Sequence, residues 1–141
     1  MNAEVNYRKR LAEGFLAEAR QDMGLKRWRA CVSNSQLAAE NSAKALLAML
    51  GPVGKTHQPT VLLRKALDEG RFADAARLAV DAVADAAETL GSDVHIESDY
   101  GDDARWLTPW EIFGSEEASL ALGKAEQAVE ALVGVTNADT V

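Results

Sequence analysis

Apolar residues recur along the chain at intervals of three and four, the spacing that puts side chains on one face of a helix. Leu11, Phe15, Ala19 and Met23 form such a stripe and predict a helix over about 4–23, closed by Gly24. Trp28, Val32, Ser35, Ala39, Ser42, Leu46 and Met49 advance in the same way and predict a longer helix over about 27–50, stopped by Gly51 and Pro52. A short third helix is expected after Pro59, burying Leu62, Leu63, Ala66 and Leu67 and ending at Gly70. The segment 71–91 alternates apolar positions (Phe72, Ala76, Ala79, Val83, Ala86, Leu90) with Asp74, Asp81, Asp85 and Glu88, the signature of an amphipathic helix. The last helix starts at Ser115, where Glu116 and Glu117 suit the positive end of the helix dipole, and buries a seam from Ala118 to Leu132.

No alternation of period two is long enough for a sheet. The connections between the first four helices are short, which favours antiparallel neighbours. The pattern therefore predicts an all-α, up-down antiparallel bundle of four main helices plus a short one, with residues 1–133 as the domain and 134–141 as a flexible tail. A long polar loop, "SDVHIESDYGDDARWLTPWEIFG", is expected before the last helix; loops of that length are usually functional or mobile.

Composition agrees with this architecture. The 141 residues are 48% hydrophobic and 26% charged, enough apolar surface for one core, and only 6% are aromatic with three prolines. The net charge of −7 excludes a strongly basic nucleic-acid binder of the usual kind. Yet the charge is uneven: residues 1–29 carry Arg8, Lys9, Arg10, Arg20, Lys26, Arg27 and Arg29 against four acids, whereas 68–103 carry eleven acids against Arg71 and Arg77. A local basic face is compatible with that asymmetry. Cys31 has no second thiol to pair with and reads as a small core residue. No segment has the apolar length of a signal peptide or a membrane span, so a cytoplasmic protein with no membrane association is expected.

Three groups of residues carry candidate chemistry. The turn "GPVGKT" resembles the end of a phosphate-binding loop, but that motif needs glycine where Met49 stands and a strand where a helix arrives. A helix-ending turn explains it without a ligand. Around it, Glu40, Lys44, Lys55 and His57 form a polar set beside the start of the third helix, where backbone N–H groups favour an anion. Glu40 and Lys44 also stand four apart in the favourable order for an ordinary surface pair of about 0.3–0.5 kcal/mol. In the long loop, Tyr100, Arg105, Trp106 and Trp110 can stack a base or anchor a partner; aromatic burial favours the alternative, that both tryptophans fold the loop back on the bundle. The acids of this loop match no calcium-binding pattern, and neither a metal nor a cofactor is expected.

Asp22 near the end of helix one, "AAENSAKALL" with Glu40 and Lys44 in helix two, and His57 ahead of Leu62 and Leu63 together resemble the HEPN domain family, the higher eukaryote and prokaryote nucleotide-binding helical bundles, of the prokaryotic stand-alone type. The similarity extends to the Tyr100 loop and the last helix. The resemblance implies a helical bundle, homodimerisation, binding of nucleotide or RNA, and a nucleotidyltransferase-domain partner. It also implies a divergent endoribonuclease, the toxin of a toxin–antitoxin pair, as an alternative, and a dimerisation scaffold as a second. Members of this family that cleave RNA carry an Arg and a following His with four to six residues between them. Here Leu50, Gly51 and Pro52 precede His57, and Glu88, Thr89 and Leu90 precede His95, so no catalytic role is carried over.

Overall fold

The computed structural model describes residues 2–56 and 58–138, Ser92 by its backbone alone. It is all-helical: α1 (Ala3–Gly24), α2 (Trp28–Ala48), α3 (Pro59–Asp68), α4 (Arg77–Thr89), α5 (Ser92–Tyr100), α6 (Pro109–Ile112) and α7 (Ser115–Ala138), with a 3-10 turn at Asp74–Ala76 leading into α4. Among the described residues there is no strand, only an isolated antiparallel bridge between Asp102 and Leu107. No described helix is long and apolar enough to cross a membrane.

The four long helices bury one core. α2 is its centre, packing on α1 and α7, while α7 also packs on α4 and α1. The periodicity of α2 explains its position. Ala38, Ala39, Ala43 and Ala45 are buried with no exposed surface, and such short side chains let neighbours approach closely around Leu46, Leu63 and Leu132. Of the two buried hydroxyls of α2, Ser35 and Ser42, that of Ser42 donates to the Ala38 carbonyl at 2.8 Å and so costs no unmet hydrogen bond. Cys31 lies in the same core, its thiol 3.7 Å from the Ala118 carbonyl, and burial pushes its pKa up, which leaves it a poor nucleophile.

Helix ends follow from local chemistry. Asn2 caps α1 by accepting the Val5 N–H at 2.8 Å, and its amide nitrogen donates to the Ala48 carbonyl at 3.1 Å, tying the start of α1 to the end of α2. α3 begins with Pro59, whose missing N–H is harmless in the first turn. It ends in a Schellman motif: Gly70 N–H reaches Leu67 O, Arg71 N–H reaches Ala66 O, and Gly70 takes φ +68°. Arg64 then fastens α3 to α4 by bonding Glu88 (2.8 Å) and Asp81.

Two features differ from the sequence expectation. The connection over 92–114 is not irregular throughout: it contains the nine-residue α5 and the single turn α6. α5 escapes the periodicity test because it buries only Ser98, among its side chains described, and is docked by a hydrogen bond from Arg29 Nη1 to the Ser98 carbonyl at 2.8 Å. Further on, α7 continues past residue 133 to Ala138, with Val135 and Thr136 buried. Val135 still occupies the core stripe, and Thr136 satisfies its hydroxyl on the Leu132 carbonyl at 3.1 Å.

Candidate functional site

The turn from α1 into α2 is built on Asp22. Its carbonyl accepts the Arg27 N–H at 2.8 Å, while its buried carboxylate accepts Asn34 Nδ2 at 2.8 Å and pairs with Arg27 Nε at 3.5 Å. Lys26 N–H bonds Met23 O, completing a second Schellman motif. The position that such a motif normally gives to glycine is held by Lys26, at φ +60°. A side chain in this left-handed region costs about 1–2 kcal/mol. Gly24, expected to close the helix, is instead its last helical residue.

α2 then starts without a side-chain cap and without an acid in its first turn. The N–H groups of Trp28, Arg29 and Ala30 have no intrahelical partner. Lys26, Arg27 and Arg29 place three cations at this positive end of the helix dipole. That arrangement is unfavourable by about 0.3–1 kcal/mol per charge at an exposed terminus unless an anion offsets it.

Residues 99–113 face this helix end. Arg29 is the link: besides its bond to Ser98 it pairs with Asp99 Oδ1 at 3.6 Å and lies 5.9 Å from the ring centre of Trp110. A hairpin-like turn is fixed by two reciprocal 2.8 Å backbone bonds between Asp102 and Leu107. Gly101 makes it fit, because at φ +77° a Cβ here would collide with the Leu107 carbonyl. The Asp102 carboxylate accepts Arg105 Nε at 2.8 Å and the backbone N–H groups of Ala104 and Arg105 at 3.1 Å. The Arg105 side chain first, and these N–H groups after it, hold the Asp102 carboxyl below its ordinary range. Thr108 donates its N–H and hydroxyl to Glu111 Oε1, both at 3.0 Å, which lowers the Glu111 pKa and caps α6.

The tryptophans of this segment do not fold back on the bundle. Trp106 is 85% exposed, Trp110 73% and Tyr100 80%. Hydrogen bonds of the turn, rather than burial of rings, hold the segment in shape, so the rings stay largely in solvent, Trp110 with the Arg29 guanidinium over one face. Trp106 even occupies the left-handed region at φ +57°, and with Lys26 it is one of the two non-glycine residues there among those described. Between the two segments lies an open concavity of about 470 Å³, lined by Lys26–Ala30, Trp110 and Phe113.

The other candidate residues are distributed as follows. Glu40 and Lys44 are joined, Oε2 to Nζ at 3.4 Å, and Glu40 lines a cavity with Gln58 and Thr60 at the start of α3. Lys55 is exposed in the α2–α3 link. His57 lies outside the described residues. Arg105 is committed to Asp102, and Tyr100 closes α5 beside Asp99. His95 Nε2 lies 3.7 Å from Asp99 Oδ2, so Asp99 stands between His95 and Arg29. The sequence pattern does not single out Lys26, Arg27, Trp28 and Arg29 as a site. Their signal is a basic run at a helix boundary, and the loop that faces them is roughly 70–85 residues away in the chain.

A model of the HEPN domain family matches residues 5–135. Among solved structures, the crystal structure of TT1696 from Thermus thermophilus superposes with a TM-score of 0.67 at 21% identity, covering 94% of this chain and 97% of that one. It shows the same fold. No curated protein matches the chain. With a helical bundle throughout and a family match spanning nearly its whole length, the chain belongs to the HEPN domain family.

Proposed function

We propose that the protein is a nucleotide- or RNA-binding HEPN module that acts without covalent chemistry of its own, as a homodimer and beside a nucleotidyltransferase-domain partner. The observation that carries the binding part is the uncapped start of α2, where Lys26, Arg27 and Arg29 crowd a positive helix end under the exposed ring of Trp110. A phosphate would accept the free N–H groups of the first turn and meet the charge of Lys26. A base would stack on Trp110, with Tyr100 and Trp106 exposed on the same connection for further bases.

The electrostatics narrow the ligand. Arg27, Arg29 and Arg105 are each already paired with an aspartate, which leaves Lys26, among the described residues, as the cation of this face without a carboxylate partner. Few phosphates are gripped, so stacking supplies most of the affinity, and unpaired nucleotides are favoured over a duplex. The test is a panel of nucleotides, single-stranded and duplex RNA read by tryptophan quenching and thermal shift. We expect single-stranded ligands to quench and stabilise, Trp110→Ala to weaken them about tenfold (about 1–3 kcal/mol per stacked base), and the salt dependence to be shallow. Absence of binding by every member of the panel would leave the scaffold reading.

A second reading has one specific observation behind it. Asp99 stands between Arg29 and His95, at 3.6 and 3.7 Å, so the tertiary structure brings near one another an arginine and a histidine that no local motif contains. Arginine can hold a phosphate while histidine moves a proton at a ribose oxygen, the needs of a metal-free endoribonuclease. RNA cleavage by the purified protein in chelator, abolished by His95→Ala or His57→Ala, would replace the binding-only reading.

A further inference from the structure

Arg29 is shared between two elements that make opposite demands on it. In the first turn of α2 its charge opposes the helix dipole, whereas at the last turn of α5 the same charge favours it. Its contacts follow the second demand: Nη1 donates to the Ser98 carbonyl at 2.8 Å and stands 3.6 Å from Asp99 Oδ1. Arg29 nevertheless lines the concavity of about 470 Å³ that it shares with Lys26 and Trp110. One guanidinium thus serves both the docking of α5 and the candidate site.

α5 has little else to hold it. Of its described side chains only Ser98 is buried, and the Ser98 hydroxyl is taken up by the His95 carbonyl at 3.0 Å within the same helix. Val94 alone of its apolar residues packs on the core, while Ile96 and Tyr100 are exposed. The last turn of α5 has no basic residue of its own and carries Asp99 at the negative end of the dipole, so Arg29 offsets both. Among the described residues, Arg29 makes the hydrogen bond and the ion pair that join α5 to another helix. Elements attached in this way open at low free-energy cost.

The contact with Asp99 is also weak by its geometry. At 3.6 Å it lies beyond hydrogen-bond range, the two side chains are 32% and 36% exposed, and the carboxylate is divided, with Oδ2 3.7 Å from His95 Nε2. A phosphate offers a guanidinium two short parallel bonds instead.

We infer that α5 is a built-in competitor for the anion site of Arg29: a ligand phosphate displaces Asp99 and Ser98 from the guanidinium and releases the last turn of α5 from α2. This rests on the nucleotide-binding reading above and adds the regulation of that site. With α5 docked the site is closed and offers the phosphate Lys26; with α5 released it offers Arg29 as well. The observed affinity is lowered by the fraction of molecules that are closed.

The experiment compares AMP with adenosine on the full chain, reading binding by NMR titration and release of α5 by amide exchange at Gly101, whose N–H bonds the Glu97 carbonyl at 3.0 Å. AMP should bind and accelerate exchange at Gly101 about fivefold, the ceiling for releasing a partly exposed ion pair, whereas adenosine should leave it unaltered. Asp99→Asn should bind AMP about fivefold more tightly. Glu97→Gln removes a charge from the same helix without touching Arg29 and should leave the affinity nearly unchanged, which separates release of Arg29 from mere loss of negative charge. Binding of AMP by Asp99→Asn alone supports the inference as well. Unaltered or slower exchange at Gly101 in the AMP complex, or an Asp99→Asn affinity no higher than that of Glu97→Gln, overturns it and leaves the binding reading standing. Absence of AMP binding by both the parent and Asp99→Asn overturns it too, while the binding reading is decided by the RNA panel above.

Discussion

Lys26 sits at a position whose backbone would rather hold glycine, and it does so beside other cations at the wrong end of a helix dipole. Both penalties fall on the same few residues, which marks them as placed for something other than stability. Lys26→Gly should therefore raise stability by about 1 kcal/mol, read as a shift in urea midpoint, and at the same time weaken nucleotide binding. A loss of stability would mean that the Lys26 side chain has a structural duty. Trp106 invites the same reasoning, since a bulky ring at positive φ and in water gains nothing for the fold. Buried Asp22 is the contrary case: it looks chemical in the sequence, yet Asn34 and Arg27 occupy its carboxylate and it serves to shape the turn.

At the scale of elements, the turn between α5 and α6 is an electrostatic construction. Asp102 and Glu111 have folded pKa values below their ordinary ones, so their bonds contribute fully above the unfolded values, near pH 4, and are lost as pH falls through the lower folded values. Amide exchange at Asp102 and Leu107, measured by NMR, should accelerate below about pH 4 relative to the acid-catalysed baseline of α2 amides. Parallel behaviour of the two sets would show that the turn does not depend on these carboxylates. Gly101→Ala tests the same turn from its backbone: the strained φ and the collision with Leu107 O predict a cost of about 1–3 kcal/mol, confined to this segment, with near-UV circular dichroism changing more than the far-UV signal.

For the whole molecule, stability resides in the alanine-rich contact of α1, α2 and α7 and in a few large side chains that fill the gaps between them. Leu46 has no exposed surface, and Leu46→Ala should destabilise by about 2–5 kcal/mol in chemical denaturation. Leu120→Ala, at an exposed site on α7, should stay within about 0.5 kcal/mol of the parent. The contrast checks which stripe of each helix faces inward.

That stripe was readable in the chain because burial on one face of a helix imposes a period of 3.6, which α1, α2, α3, α4 and α7 obey; the exception is Leu62, expected in the buried set of α3 but 45% exposed beside the buried Leu63. The family resemblance was readable too, since Asp22, the Glu40–Lys44 helix and the leucines of α3 lie within about fifty residues of one another. α5 was not, because Val94 alone of its apolar residues packs on the core while Arg29 holds the Ser98 carbonyl and Asp99, which leaves no apolar period to detect. Nor was the exposure of Trp106 and Trp110, which rests on hydrogen bonds among Asp102, Arg105, Leu107, Thr108 and Glu111 rather than on composition. Which faces are buried, and hence the all-α bundle, was written into the spacing of the apolar residues. Which polar residues meet was settled by packing alone, because the contacts of Arg29 with Asp99 and Trp110, and of Arg64 with Asp81 and Glu88, join points far apart in the chain whose spacing carries no periodic signal.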